Sequence, residues 1–233
     1  MIVRYIFDVD GTLTPSRGVI DPEFKKYFIE FCIYNHVYLV TGSDRAKTLE
    51  QIGKDTYYWC DLVYQCSGND VWSGDDNIAT KEFVWPDNLN EFCEYWINYS
   101  NYNIKTGAHK DVRPGLLNFS IVGRNATKKQ RDDYVAYDAH AKERELIARL
   151  VNENFPQLQA KIAGETGIDI TLKGNGKEQI IHEFSPHDKL IFFGDRMDPG
   201  GNDYQLSLEV VNSGGNAHHV KDWKQTWEIL KSL

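Results

Sequence analysis

The 233-residue chain carries 41% hydrophobic and 13% aromatic residues, enough to bury a core in one domain or two small ones and too apolar for disorder. A net charge of −8 argues against a broad nucleic-acid or anionic-membrane surface, and the Lys128-Lys129 patch is too small for DNA. Cys32, Cys60, Cys66 and Cys93 show no C-x-x-C pair and no zinc-ligand spacing with His, which fits reduced thiols in a cytoplasmic protein.

Met1 leads directly into Ile2-Val3-Arg4-Tyr5-Ile6-Phe7, an apolar, β-branched run that predicts a buried strand and leaves no room for a signal peptide. Nor does any apolar run approach the length of a membrane span. Gly11 breaks the strand, so Asp8 and Asp10 fall at its carboxyl edge, where open α/β sheets bind ligands. Two carboxylates two residues apart on a turning backbone can share one Mg²⁺ and still differ in role. Asp8 would attack a phosphoryl group to give an aspartyl phosphate, and Asp10 would donate and accept a proton at the sugar oxygen. Asp-Gly is also ordinary turn chemistry, so this stretch alone fits a plain strand-to-turn junction about as well.

Asp21-Pro22 predicts a helix start, with Phe24, Phe28 and Phe31 following. Val37-Tyr38-Leu39-Val40 predicts a second strand, ending in Thr41-Gly42-Ser43-Asp44. A hydroxyl and exposed amides at such an end suit a bound phosphate, and Asp44 caps a helix through Leu49 and Ile52. Leu62-Val63-Tyr64 reads as a strand, and Val71-Trp72 and residues 78–84 flank Gly74-Asp75-Asp76-Asn77 as a hairpin. After Trp85-Pro86 the rhythm changes. Asp87 begins an aromatic helix with Leu89, Phe92, Trp96 and Tyr99, and residues 101–114 read as polar and irregular. Residues 116–122 predict a strand, 128–151 one long helix, and 160–163 and 168–172 two more strands.

The parallel pattern resumes at Gly174-Asn175-Gly176 with a helix over 177–184, where the Lys177 ammonium would neutralise phosphate and hold Asp8. Residues 189–193 predict a third strand of this kind, ending in Gly194-Asp195. Asp195 would complete an oxygen-rich Mg²⁺ site with Asp8 and the Asp10 carbonyl, and Asn202 and Asp203 close behind are further candidates for it. Thr41 as a cap, Lys177 as a solvated charge and Asp195 as a turn residue are the plainer alternatives. His218-His219 reads as a strand end, and Trp223–Leu230 as an amphipathic helix.

Together these elements predict an α/β fold: a Rossmannoid core with a parallel sheet over 1–85 and 174–233, interrupted by an inserted α+β cap over 86–173. Such a cap would close on substrate and exclude water. Arg113, Arg124 and Arg131 lie in it. Guanidinium groups bind phosphate in a planar, often bidentate geometry, although three separate surface arginines would leave the same spacing.

These segments resemble the haloacid dehalogenase (HAD) superfamily of phosphotransferases and, within it, the eukaryotic-type phosphomannomutases. The resemblance rests on FDVDGTLTPSR at 7–17, on 40–44, 113–131 and 164–177, and on FFGDRMDPGGND at 192–203. It implies a HAD-like core with a type C2b cap, interconverting hexose 1-phosphate and hexose 6-phosphate of mannose or glucose. Asp8 would carry the phosphoryl group, Asp10 would be the acid/base, Thr41 and Lys177 would complete the catalytic set, and a hexose 1,6-bisphosphate would form and turn around. Arg113, Arg124 and Arg131 match a cap motif that, with Asn118, binds the distal phosphate and nearby hydroxyls. Asp169 matches a cap carboxylate on sugar hydroxyls, and Arg17 a core-side arginine near the substrate. Mg²⁺ and a hexose 1,6-bisphosphate activator are the implied cofactors. Sugar phosphates and a second copy joined through the cap, by a face bearing Phe92, Trp96 and Tyr99, are the implied partners, with no nucleic acid or membrane.

The chain departs from that pattern at four places. Thr41 stands where the mutases commonly have Gly, Gly167 where they carry a phosphate-contacting Ser, and Ser67-Gly68-Asn69 replaces a Glu-Asn-Gly motif. The usual second cation loop after Asp203 is missing. A HAD sugar-phosphate phosphatase is therefore the alternative, and a noncatalytic sugar-phosphate-binding module stands behind it.

Overall fold

In a computed structural model that describes residues 2–82 and 84–233, the chain forms two β-sheets. Expectations touching Met1 and Phe83 (the lead into the first strand, part of the 78–84 strand) lie outside the described residues. Strands and helices first alternate: β1 (Val3–Phe7), α1 (Pro22–Tyr34), β2 (His36–Val40), α2 (Arg45–Trp59) and β3 (Leu62–Gln65), then a hairpin of β4 (Asp70–Ser73) and β5 (Asp76–Thr80). Next come α3 (Asp87–Tyr99), β6 (Lys110–Arg113), β7 (Leu116–Phe119), α4 (Lys128–Ala141), α5 (Glu143–Asn154), β8 (Leu158–Ala163) and β9 (Gly167–Leu172). A 3₁₀ segment (Lys177–Glu183), β10 (Lys189–Gly194), α6 (Tyr204–Asn212), β11 (Asn216–His219) and α7 (Trp223–Leu230) complete it.

The larger sheet has the order β11-β10-β1-β2-β3-β4-β5. Its strands run parallel from β11 to β3, and the β4–β5 hairpin closes the edge antiparallel. Because successive side chains point to opposite faces, Phe7, Leu39 and Phe193 enter one apolar cluster with α1 and α7, while Ile6, Val40 and Phe192 enter another with Leu206 and Val210 of α6. Burial on both faces is what makes these strands near-continuous apolar runs. β1 lies between β10 and β2, so the residues after all three strands converge at one edge.

The smaller sheet is antiparallel, in the order β6-β7-β9-β8. Leu89, Cys93 and Trp96 of α3, Tyr134 of α4, and Ile147 and Val151 of α5 share its core with Leu117, Phe119, Ile168 and Ile170. It sits against the larger sheet's carboxyl edge through main-chain hydrogen bonds. Ile162 N–H donates to Gly200 O (2.9 Å), and Asn202 N–H donates to Ile162 O (3.1 Å).

Several expectations need correction. The helix expected over 128–151 is broken at Lys142, which takes a left-handed conformation. Asp138 causes the break: its carboxylate accepts from Arg144 N–H (2.9 Å) and Arg144 Nε (2.7 Å), starting a new helix. Residues 110–113, expected to be irregular, form edge strand β6, and the strand expected over 116–122 stops at Phe119. The hairpin turn narrows to Gly74-Asp75, because Asp76 and Asn77 already pair with β4. The stretch after Gly176 is 3₁₀ rather than α. Trp96 is buried in the smaller unit's core, leaving Tyr95 and Tyr99 as the exposed rings of α3. All four cysteines are buried and free, and no described helix is long and apolar enough to cross a membrane.

Candidate active site

Asp8 follows β1 directly, and its N–H donates to Phe193 O (2.9 Å), which seats its carboxyl beside the end of β10. Gly11 turns the chain away with φ +83°, and a Cβ there would lie 2.6 Å from Asp195 Oδ2, so the turn that exposes Asp8 needs glycine twice over. Lys177 is buried beneath the pair it holds. Its Nζ lies 2.6 Å from Asp8 Oδ1 and 2.7 Å from Asp203 Oδ1. Burial opposes its charge, but Asp203 and Asp8 outweigh that and keep the ammonium firmly protonated.

Asp8, Asp195 and Asp203 bring carboxylate oxygens within 4.8 Å of one another. Burial, together with the neighbouring carboxylates, pushes Asp8 well above the usual carboxylate range and Asp195 up to about 7. Three crowded carboxyl groups against one ammonium leave a negative surplus, and an all-oxygen donor set suits a hard divalent cation. The fit to Mg²⁺ is therefore good. Asp10 and Asn202 line the same cavity outside this trio.

Asp10 is held on three sides. Its Oδ1 accepts from Arg17 N–H (2.6 Å) and Gln51 Nε2 (2.9 Å), and its Oδ2 accepts from Ser43 Oγ (3.3 Å). Thr41, one residue beyond β2, is buried at the cavity wall and accepts from Ser43 N–H (3.1 Å). Asp44 caps α2 as expected, accepting from Lys47 N–H (2.8 Å).

Across a cavity of about 280 Å³ stands the smaller unit. Asn118 Nδ2 donates to Asp169 Oδ1 (2.7 Å), while Arg124 Nη1 donates to Asn118 Oδ1 (3.1 Å). Arg113 pairs with Asp111 Oδ2 (2.6 Å) and also donates to Gly42 O, tying the unit to the loop after β2. That approach is close enough that a Cβ at Gly42 would lie 2.6 Å from Asp169 Oδ2. Burial, then the charges of Arg124 and Arg131, lower Arg17 to about 10, so these three guanidinium groups lie near one another.

Of the residues singled out from sequence, Asp8, Asp10, Arg17, Thr41, Arg113, Asn118, Arg124, Asp169, Asp195 and Asn202 line the cavity. Lys177 and Asp203 lie buried beneath it. Arg131 stands back from the wall, its Nε 3.8 Å from Glu165 Oε2, and Glu165 does line the cavity. Gln51, Asp111, Glu165 and Arg196 were not anticipated. For Gln51 a signal existed: a polar side chain at 51 shares the buried face of α2 with Thr48, Ile52 and Thr56.

Solved structures share this fold at low identity. The C-terminal domain of C. albicans trehalose-6-phosphate phosphatase superposes with a TM-score of 0.70 at 14% identity, over 99% of this chain and 92% of that one. A HAD subclass IIB sugar phosphatase gives a TM-score of 0.60 at 14% identity, over 99% and 98%. The chain thus shares the fold of these two phosphatases. The model of the eukaryotic phosphomannomutase family matches residues 24–233. A phosphomannomutase of Oryza sativa subsp. indica is 32% identical over 239 residues, covering 99% of this chain and 95% of its own. The chain belongs to the eukaryotic phosphomannomutase family.

Proposed function

We propose that the protein is a Mg²⁺-dependent phosphohexomutase, interconverting hexose 1-phosphate and hexose 6-phosphate of mannose or glucose. The observation that carries this reading is one cavity that brings the carboxylates of Asp8 and Asp10 and the hydroxyl of Thr41 together with Arg17, Arg113, Arg124 and the Asn118–Asp169 pair. A mutase needs two phosphate subsites, because its bisphosphate must be held in either orientation. In the proposed cycle Asp8 Oδ attacks phosphorus, the bond to the sugar oxygen breaks, and Asp10 delivers a proton to that oxygen. Reversal at the other hydroxyl returns the phosphoryl group and gives the proton back to Asp10. Lys177 orients Asp8, and Thr41 with the amides beside it receives the transferring phosphate. Arg113, Arg124, Arg131 and Asn118 hold the distal phosphate, and Asp169 the sugar hydroxyls.

Asp8, the Asp10 carbonyl and Asp195, with Asn202 and Asp203 alongside, would hold Mg²⁺, which supplies positive charge to offset the phosphoryl oxygens. Residues 1–85 and 174–233 are proposed as the catalytic core and 86–173 as a C2b-type cap. A cytoplasmic setting accords with the four free, buried cysteines. The stacked, exposed Tyr95 and Tyr99 (5.2 Å) offer a surface for a homodimer through the cap, which a sedimentation mass tests.

³¹P NMR with Mg²⁺, mannose 1-phosphate and a trace of glucose 1,6-bisphosphate, the activator, tests the activity. A growing mannose 6-phosphate signal is expected. Inorganic phosphate alone would replace this reading with the sugar-phosphate phosphatase, the alternative favoured by Thr41 and Gly167.

A further inference from the structure

Gln51 is fully buried, yet its side chain is not satisfied for its own sake. The Nε2 group donates to Asp10 Oδ1 (2.9 Å) and to Thr14 Oγ1 (3.3 Å), while Oε1 is buried without a hydrogen-bond partner among the described residues. An apolar residue would fill this place on the inner face of α2 with no orphaned oxygen. The amide orientation follows from Asp10, since an oxygen turned toward the carboxylate would be repelled. The main chain fixes the residue as well: Gln51 O accepts from Ile20 N–H (2.8 Å), locking this turn of α2 to the loop that carries Arg17. Arg17 in turn holds its backbone at φ +55°, a conformation unusual for a residue with a side chain, and its N–H reaches the same Asp10 oxygen (2.6 Å).

The two oxygens of Asp10 are therefore unequal. Oδ1 accepts two N–H groups, whereas among the described residues Oδ2 has only the longer contact from Ser43 Oγ (3.3 Å). We propose that Gln51 is a positioning residue for proton transfer: by pinning Oδ1 together with Arg17 N–H, it leaves Oδ2 as the atom that gives the proton to the departing sugar oxygen and takes it from the incoming hydroxyl. Gln51 itself touches neither substrate nor phosphate. The inference rests on Asp10 being the acid/base. It goes beyond that role by naming the group that decides which oxygen acts.

The test is Q51M, which keeps the volume and removes both the donor and the orphaned oxygen. Two phosphoryl donors are compared: a hexose phosphate, whose alkoxide must be protonated as it leaves, and p-nitrophenyl phosphate, whose phenolate leaves without a proton. With the hexose phosphate, kcat should fall about tenfold to a hundredfold with KM within about twofold, the scale set by misplacing a catalytic group. With p-nitrophenyl phosphate the burst of p-nitrophenolate, which reports transfer to Asp8 before any hydroxyl must be deprotonated, should slow by less than about threefold, and the thermal midpoint should not drop. Equal losses with both donors would overturn the proposal, as would an unchanged kcat or a lowered midpoint with intact kcat, which marks a purely structural glutamine. Wild-type protein run alongside separates the two readings. If it releases inorganic phosphate from hexose phosphates instead of isomerising them, the mutase reading fails, and the same leaving-group comparison on the rate of transfer to Asp8 still decides the role of Gln51.

Discussion

The two sheets hold their functional residues by different means. Beside the larger sheet the main chain sets the frame: Asp8, Thr41 and Asp195 each follow a strand of one parallel set, and Lys177 and Gln51 then fix the carboxyl groups of Asp8 and Asp10. On the smaller sheet side chains hold one another. Asp111 Oδ2 is shared by Arg113 (2.6 Å) and Arg124 (3.1 Å), Asn118 leans on Asp169, and Arg131 faces Glu165. The first arrangement cannot relax without unpairing a sheet, which suits groups that must meet a transition state. The second can be exchanged partner by partner, as the proposed release and recapture of a distal phosphate would require.

The sharpest way to break the comparison is at Asp8. Asp8→Asn should lower turnover by roughly 10⁴-fold or more, the scale of losing a nucleophile, while sugar-phosphate binding persists. Single-turnover kinetics with an equilibrium binding measurement checks this, and surviving turnover would remove Asp8 from the chemistry. Chelation comes next. EDTA should abolish turnover, and Mg²⁺ at a hundredfold excess over its Kd should add about 2.7 kcal/mol, a midpoint rise of roughly 5–10 °C. No shift on a melting curve would remove the cation from the Asp8–Asp195–Asp203 group.

On the exchangeable side, Arg124→Ala should raise KM for a hexose phosphate about tenfold or more with kcat changed less, from loss of a charge-assisted contact. Arg131→Ala should raise it too, but by less, because Arg131 stands behind Glu165. Initial-rate kinetics on both variants reads the difference, and the reverse order would put the distal phosphate nearer α4.

The smallest effect concerns the contact between the units. Lys161 Nζ on β8 lies 2.7 Å from Glu178 Oε2, and Gln159 Nε2 donates to Glu178 Oε1 (3.0 Å). Burial alone would push Glu178 up, but Lys161 outweighs it and holds the carboxyl below its ordinary value. Because the folded value is the lower one, this stabilisation is present above about pH 4.5 and is lost as pH falls through the folded value. Glu178→Gln should cost about 1 kcal/mol at pH 7, a midpoint drop of roughly 2–4 °C, and less near pH 3. Melting curves at both pH values check it, and a pH-independent difference would show that the charge contributes nothing.

How much was legible in the sequence follows the same division. Strand-end residues could be read because a strand that is buried on both faces announces itself and stops where its polar residues begin, as at Phe7-Asp8 and Val40-Thr41. Helix starts at Asp21-Pro22 and Asp44 carried their own caps, and both cap as expected. The break at Lys142 was hidden, because it depends on Asp138 reaching six residues forward to Arg144. Lys110-Asp111-Val112-Arg113 has no apolar run to mark it as a strand; it is one by virtue of pairing with β7. Gln51 was passed over because the rule that reads a helix face counts its apolar members, and here the odd member matters.

The seam where β8 meets residues 200–202 is hydrogen-bonded through peptide groups. It therefore asks almost nothing of side-chain identity at Ile162, so the way the upper unit rests on the lower is insulated from amino-acid drift there. Residues that face the cavity, such as Asn118 and Asp169, lie on neighbouring strands and do not take part in that seam. Elsewhere the units meet through side chains, Lys161 on Glu178 and Arg113 on Gly42 O, so a substitution at those points alters the attachment while one at Ile162 does not.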